Sequence, residues 1–387
     1  MQAGVGALVV GGDYQGLGIV RSLGRRGVPV CVIDDRRSIS RYSRYTTHAV
    51  RVRSLREEAA CVDAVLDVGK KLGLDGWVLY PTREETVAAF SIHRDRLLQQ
   101  FRVPTSDWET VRWAWDKRNT YALADRLQVP TPRTWYPKDV DELSAIDAPF
   151  PLVIKPAIKE HFVYATGAKA WKARSKAELI QLFLRASSVV RPGEVMVQDF
   201  VPGNGAHQFA YCAFFKGGQA VGRMVARRLR QHPLEFGSAS TFVETVDLPQ
   251  LESLSERLLR AVNYYGLVEL EYKLDPRDGQ YKLLDFNART WGYHSLGSRA
   301  GVDFAYLLFA DQIGESPNPC RAPAGFRWMR TLTDLPTALG ALRRGDLNLK
   351  TYFKSLKPCH TEAVFTRDDP LPWLAEFALL PYAALTR

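Results

Sequence analysis

Residues 266–289 read GLVELEYKLDPRDGQYKLLDFNAR, and this stretch decides the fold. In its first half Leu267, Glu269, Glu271 and Lys273 alternate with Val268, Leu270, Tyr272 and Leu274, the period of a β-strand. Asp-Pro-Arg-Asp-Gly then predicts a turn, with proline fixing φ and glycine tolerating positive φ. In the second half Tyr281, Leu283, Asp285, Asn287 and Arg289 are expected on one face, and Leu284, Phe286 and Ala288 on the other. Paired as a hairpin, the two strands bring Glu271, Asp285 and Asn287 together, with Arg289 beside them. Two carboxylates and a carboxamide offer hard oxygen ligands suited to Mg²⁺ on nucleotide phosphates. The guanidinium can grip a phosphate oxygen in bidentate fashion. The competing reading is a solvated hairpin face, and the rest of the chain has to decide between them.

The chain has 387 residues, more than one ordinary core accommodates, so several subdomains are expected. Its 46% hydrophobic and 24% charged residues are those of a globular protein. No run of about 20 apolar residues predicts a spanning helix. The N-terminus lacks the basic and long apolar regions of a signal peptide. Five widely spaced cysteines without a Cys-x-x-Cys pair argue against a disulfide framework or structural zinc and fit a reducing cytoplasm. A net charge of +10 suits an anionic partner without choosing among nucleotide, acidic substrate, nucleic acid or membrane surface.

Outward from the hairpin, the N-terminal ALVVGG, a helical segment and VPVCVIDD predict a strand–glycine loop–helix–strand unit, the start of a doubly wound α/β domain. GGDYQGLG lacks the G-x-G-x-x-G spacing, so dinucleotide binding is set aside. A second unit ends in Pro81-Thr82-Arg83-Glu84-Glu85. Such strand ends bind ligands in α/β sheets, so Thr82, Arg83 and Glu84 are candidate substrate contacts, while Thr82 as a helix N-cap is the structural alternative. Asp116 is placed to cap a helix ending near Leu127. Lys117 falls in its first turn, where the helix dipole disfavours a cation, and either awaits an anion or is solvated. Leu152-Val153-Ile154 is a buried strand with Lys155 at its end, poised to reach water or to place its charge on a phosphate. Residues 158–170 read as a mobile flap with Thr166-Gly167 at the tip and Lys169 on the return. VMVQDFVPG ends a strand so that free backbone groups can meet the edge of a flat base.

Arg227, Arg228 and Arg230 crowd one basic run, suited to an acidic small substrate or phosphates, or simply to solvent. Aromatic residues are not interleaved there as a nucleic-acid platform requires. Residues 236–241 form a small-residue loop that could wrap a substrate, and Arg299 lies in a Gly- and Ser-rich segment expected to line the cleft. The tail's apolar stretch 371–385 lacks the basic face of a membrane-surface helix.

In this order the pieces resemble the ATP-grasp superfamily of carboxylate ligases over roughly residues 5–315. Lys117 and Lys155 look like its two nucleotide lysines. VQDFVPG is similar to its adenine hinge, with Gln198 at a commonly acidic position and Asp199, Phe200 and Val201 along the base edge. Glu271 with DFNAR resembles the E…E-x-N-x-R metal and phosphate set. Asp285 stands where glutamate is common and Ala288 where proline is frequent. GGDYQGLG…RSLGRRG, PTREE and DDPLPW are most similar to the D-aspartate ligase type.

The resemblance implies an α/β chain, α+β in its ATP-binding part. Its expected parts are an N-terminal α/β domain (1–112), a lid with hinge (113–203), an ATP-grasp core (204–318) and a C-terminal packing extension (319–387). It implies ATP with Mg²⁺, or Mn²⁺ as an alternative ion, bound by Glu271, Asp285 and Asn287. Lys117, Lys155, Lys169 and Arg289 would hold phosphates, and Asn287, Arg289 and Lys155 would serve catalysis. Small-molecule carboxylate and amine substrates follow, with Thr82, Arg83, Glu84, Arg227, Arg228 and Arg299 as contacts. Nucleic acid is not expected as a partner, and a homodimer is one admissible assembly. The rivals are a non-catalytic nucleotide-binding protein of the same fold and a ligase using a thiol nucleophile.

Overall fold

A computed structural model describes residues 4–232, 237, 239–357 and 359–385. Three sheets organise them. The first is parallel, with strands His48–Arg51, Val30–Asp34, Ala7–Val10 and Val78–Pro81 side by side in that order. Val30–Asp34, Ala7–Val10 and Val78–Pro81 are buried along their whole length, as continuous apolar runs must be when helices cover both faces of a parallel sheet. Helix Tyr14–Gly24 starts directly after the Gly11-Gly12 loop. Gly11 has φ of +101°, and a Cβ there would meet the Thr82 hydroxyl, so glycine is required.

A second, antiparallel sheet holds Thr134–Trp135, Val195–Asp199, Leu152–Pro156 and Trp171–Ala173. Helix Lys176–Ser187 packs Leu179 and Phe183 against it, with Ser175 accepting from the Glu178 amide as N-cap. Within residues 158–170, the expected flap, Lys159–Thr166 forms a helix ended by Gly167 at φ +69°. KEHFVYAT contains no glycine or proline, and Lys159 and Tyr164 are anchored on Glu84 and Glu85 of the first domain (2.7 and 2.6 Å).

The third and largest sheet runs Tyr281–Asn287, Gly266–Leu274, Gln208–Lys216, Gln219–His232, Ala239–Thr245, Arg327–Met329 and Thr361–Glu362, with Cys320–Arg321 added to Gln219–His232. Strands of the tail thus complete this sheet. The tail is also tied to the first domain: Asp369 accepts from Arg21 (2.9 Å), Ser43 (2.7 Å) and the Arg44 amide, and Asp368 accepts a double contact from Arg25. These two acids open the DDPLPW motif. Of the expected substrate-wrapping loop at 236–241, positions 236 and 238 lie outside the described residues, and Ala239–Thr245 is strand. No helix among the described residues is long and apolar enough to cross a membrane.

Candidate active site

The hairpin forms as its alternation predicts, with one correction. Glu269 pairs with Asn287, Leu270 with Phe286 and Glu271 with Asp285, but Tyr272 then pairs with Leu283. Leu284 is therefore the extra residue of a β-bulge. The bulge reverses the facing of what precedes it. Leu283, expected beside Asp285, is instead buried with Tyr272 and Phe286 in the core. Asp285 and Asn287 keep the polar face, and the Leu284 carbonyl is released to accept from the Tyr121 hydroxyl (2.9 Å).

On that face, Asn287 Nδ2 donates to Glu269 Oε2 (3.1 Å) and Glu271 Oε1 (3.0 Å). Lys117, buried at the start of helix Lys117–Arg126, donates to Asp285 Oδ1 at 2.6 Å. Burial alone would lower the Lys117 pKa; Asp285 and Glu84 outweigh it and raise the pKa above the ordinary lysine range. Arg228 donates to Glu271 Oε2 (3.2 Å) and Gln208 Oε1 (2.6 Å). Each of the two carboxylates is thus held by a cation. Glu269, which the sequence placed on this face without a role, is buried and accepts from the Tyr293 hydroxyl at 2.6 Å. Burial and then the neighbouring Glu271 charge hold its carboxyl above the ordinary range.

Lys155 leaves the end of strand Leu152–Pro156 and donates to the Tyr121 hydroxyl at 2.6 Å. Burial, with Lys117 as a like charge, lowers its pKa to about 7. Lys169 is lowered to about 8, again by burial first, with Glu271 opposing. Lys155 borders a cavity of about 650 Å³ together with Gln198, Asp199, Phe200, Val201 and Lys273. The Gln198 side chain donates to Thr134 (2.8 Å), and the Asp199 amide donates to the Arg133 carbonyl. The tail helix Thr331–Arg344 lends Thr337 and Ala341 to the wall of the same cavity.

Glu84 reaches this cluster from the first domain. It accepts from Lys159 (2.7 Å) and from Arg289 Nη2 (2.9 Å) and Nε (3.1 Å). Despite burial, Lys159, Arg289 and Lys117 hold its carboxyl far below the ordinary range. The other proposed substrate contacts point elsewhere. Thr82 caps no helix, and its hydroxyl donates to the Val10 carbonyl at 3.0 Å. Arg83 is engaged by Asp34 and Asp35 (2.8 and 3.0 Å). Arg227, on the opposite face of its strand from Arg228, is paired with Glu244. Arg299 is exposed at a separate depression beside Arg25 and Arg26. Lys159 carried no sequence signal, because its partner Glu84 lies 75 positions away.

The described residues contain no group of three or more His, Cys, Asp or Glu able to hold a metal by themselves. The donors fit Mg²⁺ nonetheless, since that ion is usually held by one or two carboxylates with water and substrate phosphates completing the shell.

No family model matches the chain. A D-aspartate ligase from Enterococcus faecium (strain Aus0004) is 21% identical over 325 residues, covering 80% of this chain and 77% of that protein. An L-amino acid ligase structure from Bacillus licheniformis superposes with a TM-score of 0.62 at 15% identity, covering 81% of this chain and 75% of that one. The biotin carboxylase domain of Hydrogenobacter thermophilus 2-oxoglutarate carboxylase, solved with MgADP and bicarbonate, gives 0.65 at 14% identity, covering 83% and 73%. The chain has the ATP-grasp fold. Within ATP-grasp proteins it resembles the carboxylate–amine ligases, D-aspartate ligase among them.

Proposed function

We propose that this protein is an ATP- and Mg²⁺-dependent ligase that activates a small-molecule carboxylate and joins it to an amine. The observation that carries the proposal is the convergence of Glu271, Asp285 and Asn287 on one face, with Lys117 on Asp285, Arg228 on Glu271 and Arg289 beside Asn287, while Lys155 borders the hinge cavity. Glu271, Asp285 and the Asn287 carboxamide would hold the metal, and Mn²⁺ suits the same oxygen donors. When bound, the metal would offset charge on the transferring phosphate. The cavity would take the base and ribose along residues 198–201. Lys155 and Lys117 would meet the phosphates, with Lys169 approaching from the lid.

The reaction follows from this placement. A substrate carboxylate oxygen attacks the γ-phosphorus of ATP, ADP leaves, and an acylphosphate results. The amine then attacks the acyl carbon and inorganic phosphate departs. The chain supplies positioning and positive charge rather than a side-chain nucleophile. Arg289 and Lys159, held ready by Glu84, are placed to follow the charge as it moves from the γ-phosphate to the acylphosphate. The lid helix, docked on Glu84 and Glu85, would keep water from the intermediate. The five free cysteines support a reducing, cytoplasmic setting.

The test is a screen for ADP release over carboxylate–amine pairs. Release that requires both substrates and Mg²⁺ is expected. Nucleotide binding without release for any pair would favour a non-catalytic relative, and release with thiols but not amines would change the class of acceptor.

A further inference from the structure

Behind the phosphate-binding residues lies a second concavity, of about 750 Å³, between the lid helix Lys159–Thr166 and helix Glu84–Ile92. Its charged lining is acidic although the chain as a whole carries +10: Glu57, Glu58, Glu85 and Glu160 face Arg56 and His161. Its apolar wall includes Trp108 and Trp115, whose rings lie 6.5 Å apart. Tyr164, half exposed, is fixed there by its hydroxyl on Glu85 (2.6 Å) and by the Arg56 guanidinium 4.2 Å over its ring.

Glu160 gives the independent sign of a ligand. It is only 7% exposed, and its Oε2 is buried with no hydrogen-bond partner among the described residues, while Oε1 lies 3.3 Å from Lys159. An orphaned carboxylate oxygen is costly to keep and is relieved by a donor that arrives from outside. The groove also adjoins the Glu84 cluster, because Glu160 lies 3.3 Å from Lys159, which itself donates to Glu84 at 2.7 Å.

We infer that this acidic, tryptophan-walled groove holds a positively charged group of the amine substrate other than the reacting nitrogen. Carboxylates satisfy the N–H donors of an ammonium or guanidinium, and indole faces attract the same cation and cover its apolar stem. The inference deepens the ligase reading and rests on it for the word substrate. It narrows the acceptor to amines bearing a second positive charge, as in a diamine or a basic amino acid. Lid docking would complete the groove, because Glu160, Tyr164 and Ala165 come from the lid and Glu85 and Ala88 from the first domain.

The test is isothermal titration of the whole protein with 1,5-diaminopentane, and with pentylamine as the singly charged control. Saturable binding of the diamine, tighter than that of pentylamine, is expected in the wild type. It should weaken at least about tenfold in the double variant Glu57→Gln/Glu160→Gln, as expected on losing charged hydrogen bonds. The variant's melting-temperature rise with Mg-ATP serves as the fold control. Equal binding of both amines, or an unchanged diamine affinity in a variant that still responds to Mg-ATP, would overturn the inference. In turnover, the variant should raise KM for doubly charged acceptors and leave KM for Mg-ATP unchanged; a KM that does not move would likewise overturn it. Diamine binding without any ADP release would refute the ligase reading while leaving the groove's cation preference standing.

Discussion

Replacing Lys155 with methionine should make Mg-ATP affinity far less sensitive to pH. In the free protein burial lowers the Lys155 pKa to about 7, so the lysine is half neutral at neutral pH. Beside a nucleotide phosphate its charged form is favoured and the pKa returns towards that of an ordinary lysine. Binding therefore takes up a proton whenever the pH exceeds the free-state value. The sign is fixed: affinity is greatest below about pH 7 and is lost as the pH rises. Between pH 7 and 8.5 the dissociation constant should rise about 16-fold through Lys155, the ratio of its neutral-plus-charged to charged populations at the two pH values. Lys169, lowered to about 8, adds a further factor of about 4 if it meets the phosphates as proposed. Titration calorimetry in buffers of different ionisation enthalpy measures both the affinity and the proton uptake. The wild type should weaken roughly 60-fold across this range and the Lys155→Met variant only about 4-fold. An affinity flat from pH 7 to 8.5 in the wild type, or a variant that keeps the wild-type slope, would refute the placement of Lys155 against the phosphates.

Two further outcomes follow from named contacts. Arg289→Ala should lower kcat by roughly 10³-fold or more, the scale of losing a cation on a transferring phosphoryl group, and Asn287→Ala, which removes a proposed metal ligand, should also lower kcat strongly, each with an unchanged circular dichroism spectrum; an ADP-release assay in which either variant retains normal turnover would remove this hairpin from the chemistry. Asp369→Asn should destabilise the fold by about 3–5 kcal/mol, because Arg21 and Asp369 are both nearly fully buried and the arginine would be left without its counter-charge; the urea midpoint checks this, and a midpoint equal to that of the wild type would show that the tail does not depend on this tether.

Much of this arrangement is legible in the sequence because it is local. The alternation in each strand places Glu269 and Glu271 on one side and Asp285 and Asn287 on one side, but these two sides become the same face of the hairpin only through the bulge at Leu284, because the register set at the turn pairs Leu274 with Tyr281 and Tyr272 with Leu283. The ATP-grasp fold follows from the order of such pieces. The facing of Leu283 does not, since a bulge inserts one residue without a composition signal that distinguishes it from regular strand. Contacts between domains were harder still. Glu84 stood out as a strand-end acid, but its grip on Lys159 and Arg289 joins residues 75 and 205 positions apart. The basic run shows the same limit. Arg227, Arg228 and Arg230 look equivalent as letters, yet strand alternation and a bulge send them to Glu244, Glu271 and Asp334. Strand geometry gives period two and cannot say which face meets the site. The tail looked like packing, whereas its strands extend the central sheet and its helix walls the hinge cavity, pairings set by partners distant in sequence.

The central claim is that Mg-ATP binds on the face of this hairpin, and the most direct measurement is thermal unfolding of the wild type and Glu271→Ala with ATP, with and without Mg²⁺. At an ATP concentration of about 100 times Kd, linkage gives roughly 2.7 kcal/mol of added stability, which appears as a raised melting temperature. A Mg²⁺-dependent rise is expected in the wild type, and Glu271→Ala should largely lose it. A rise of the same size in both proteins, or none in either at millimolar Mg-ATP, would contradict the claim.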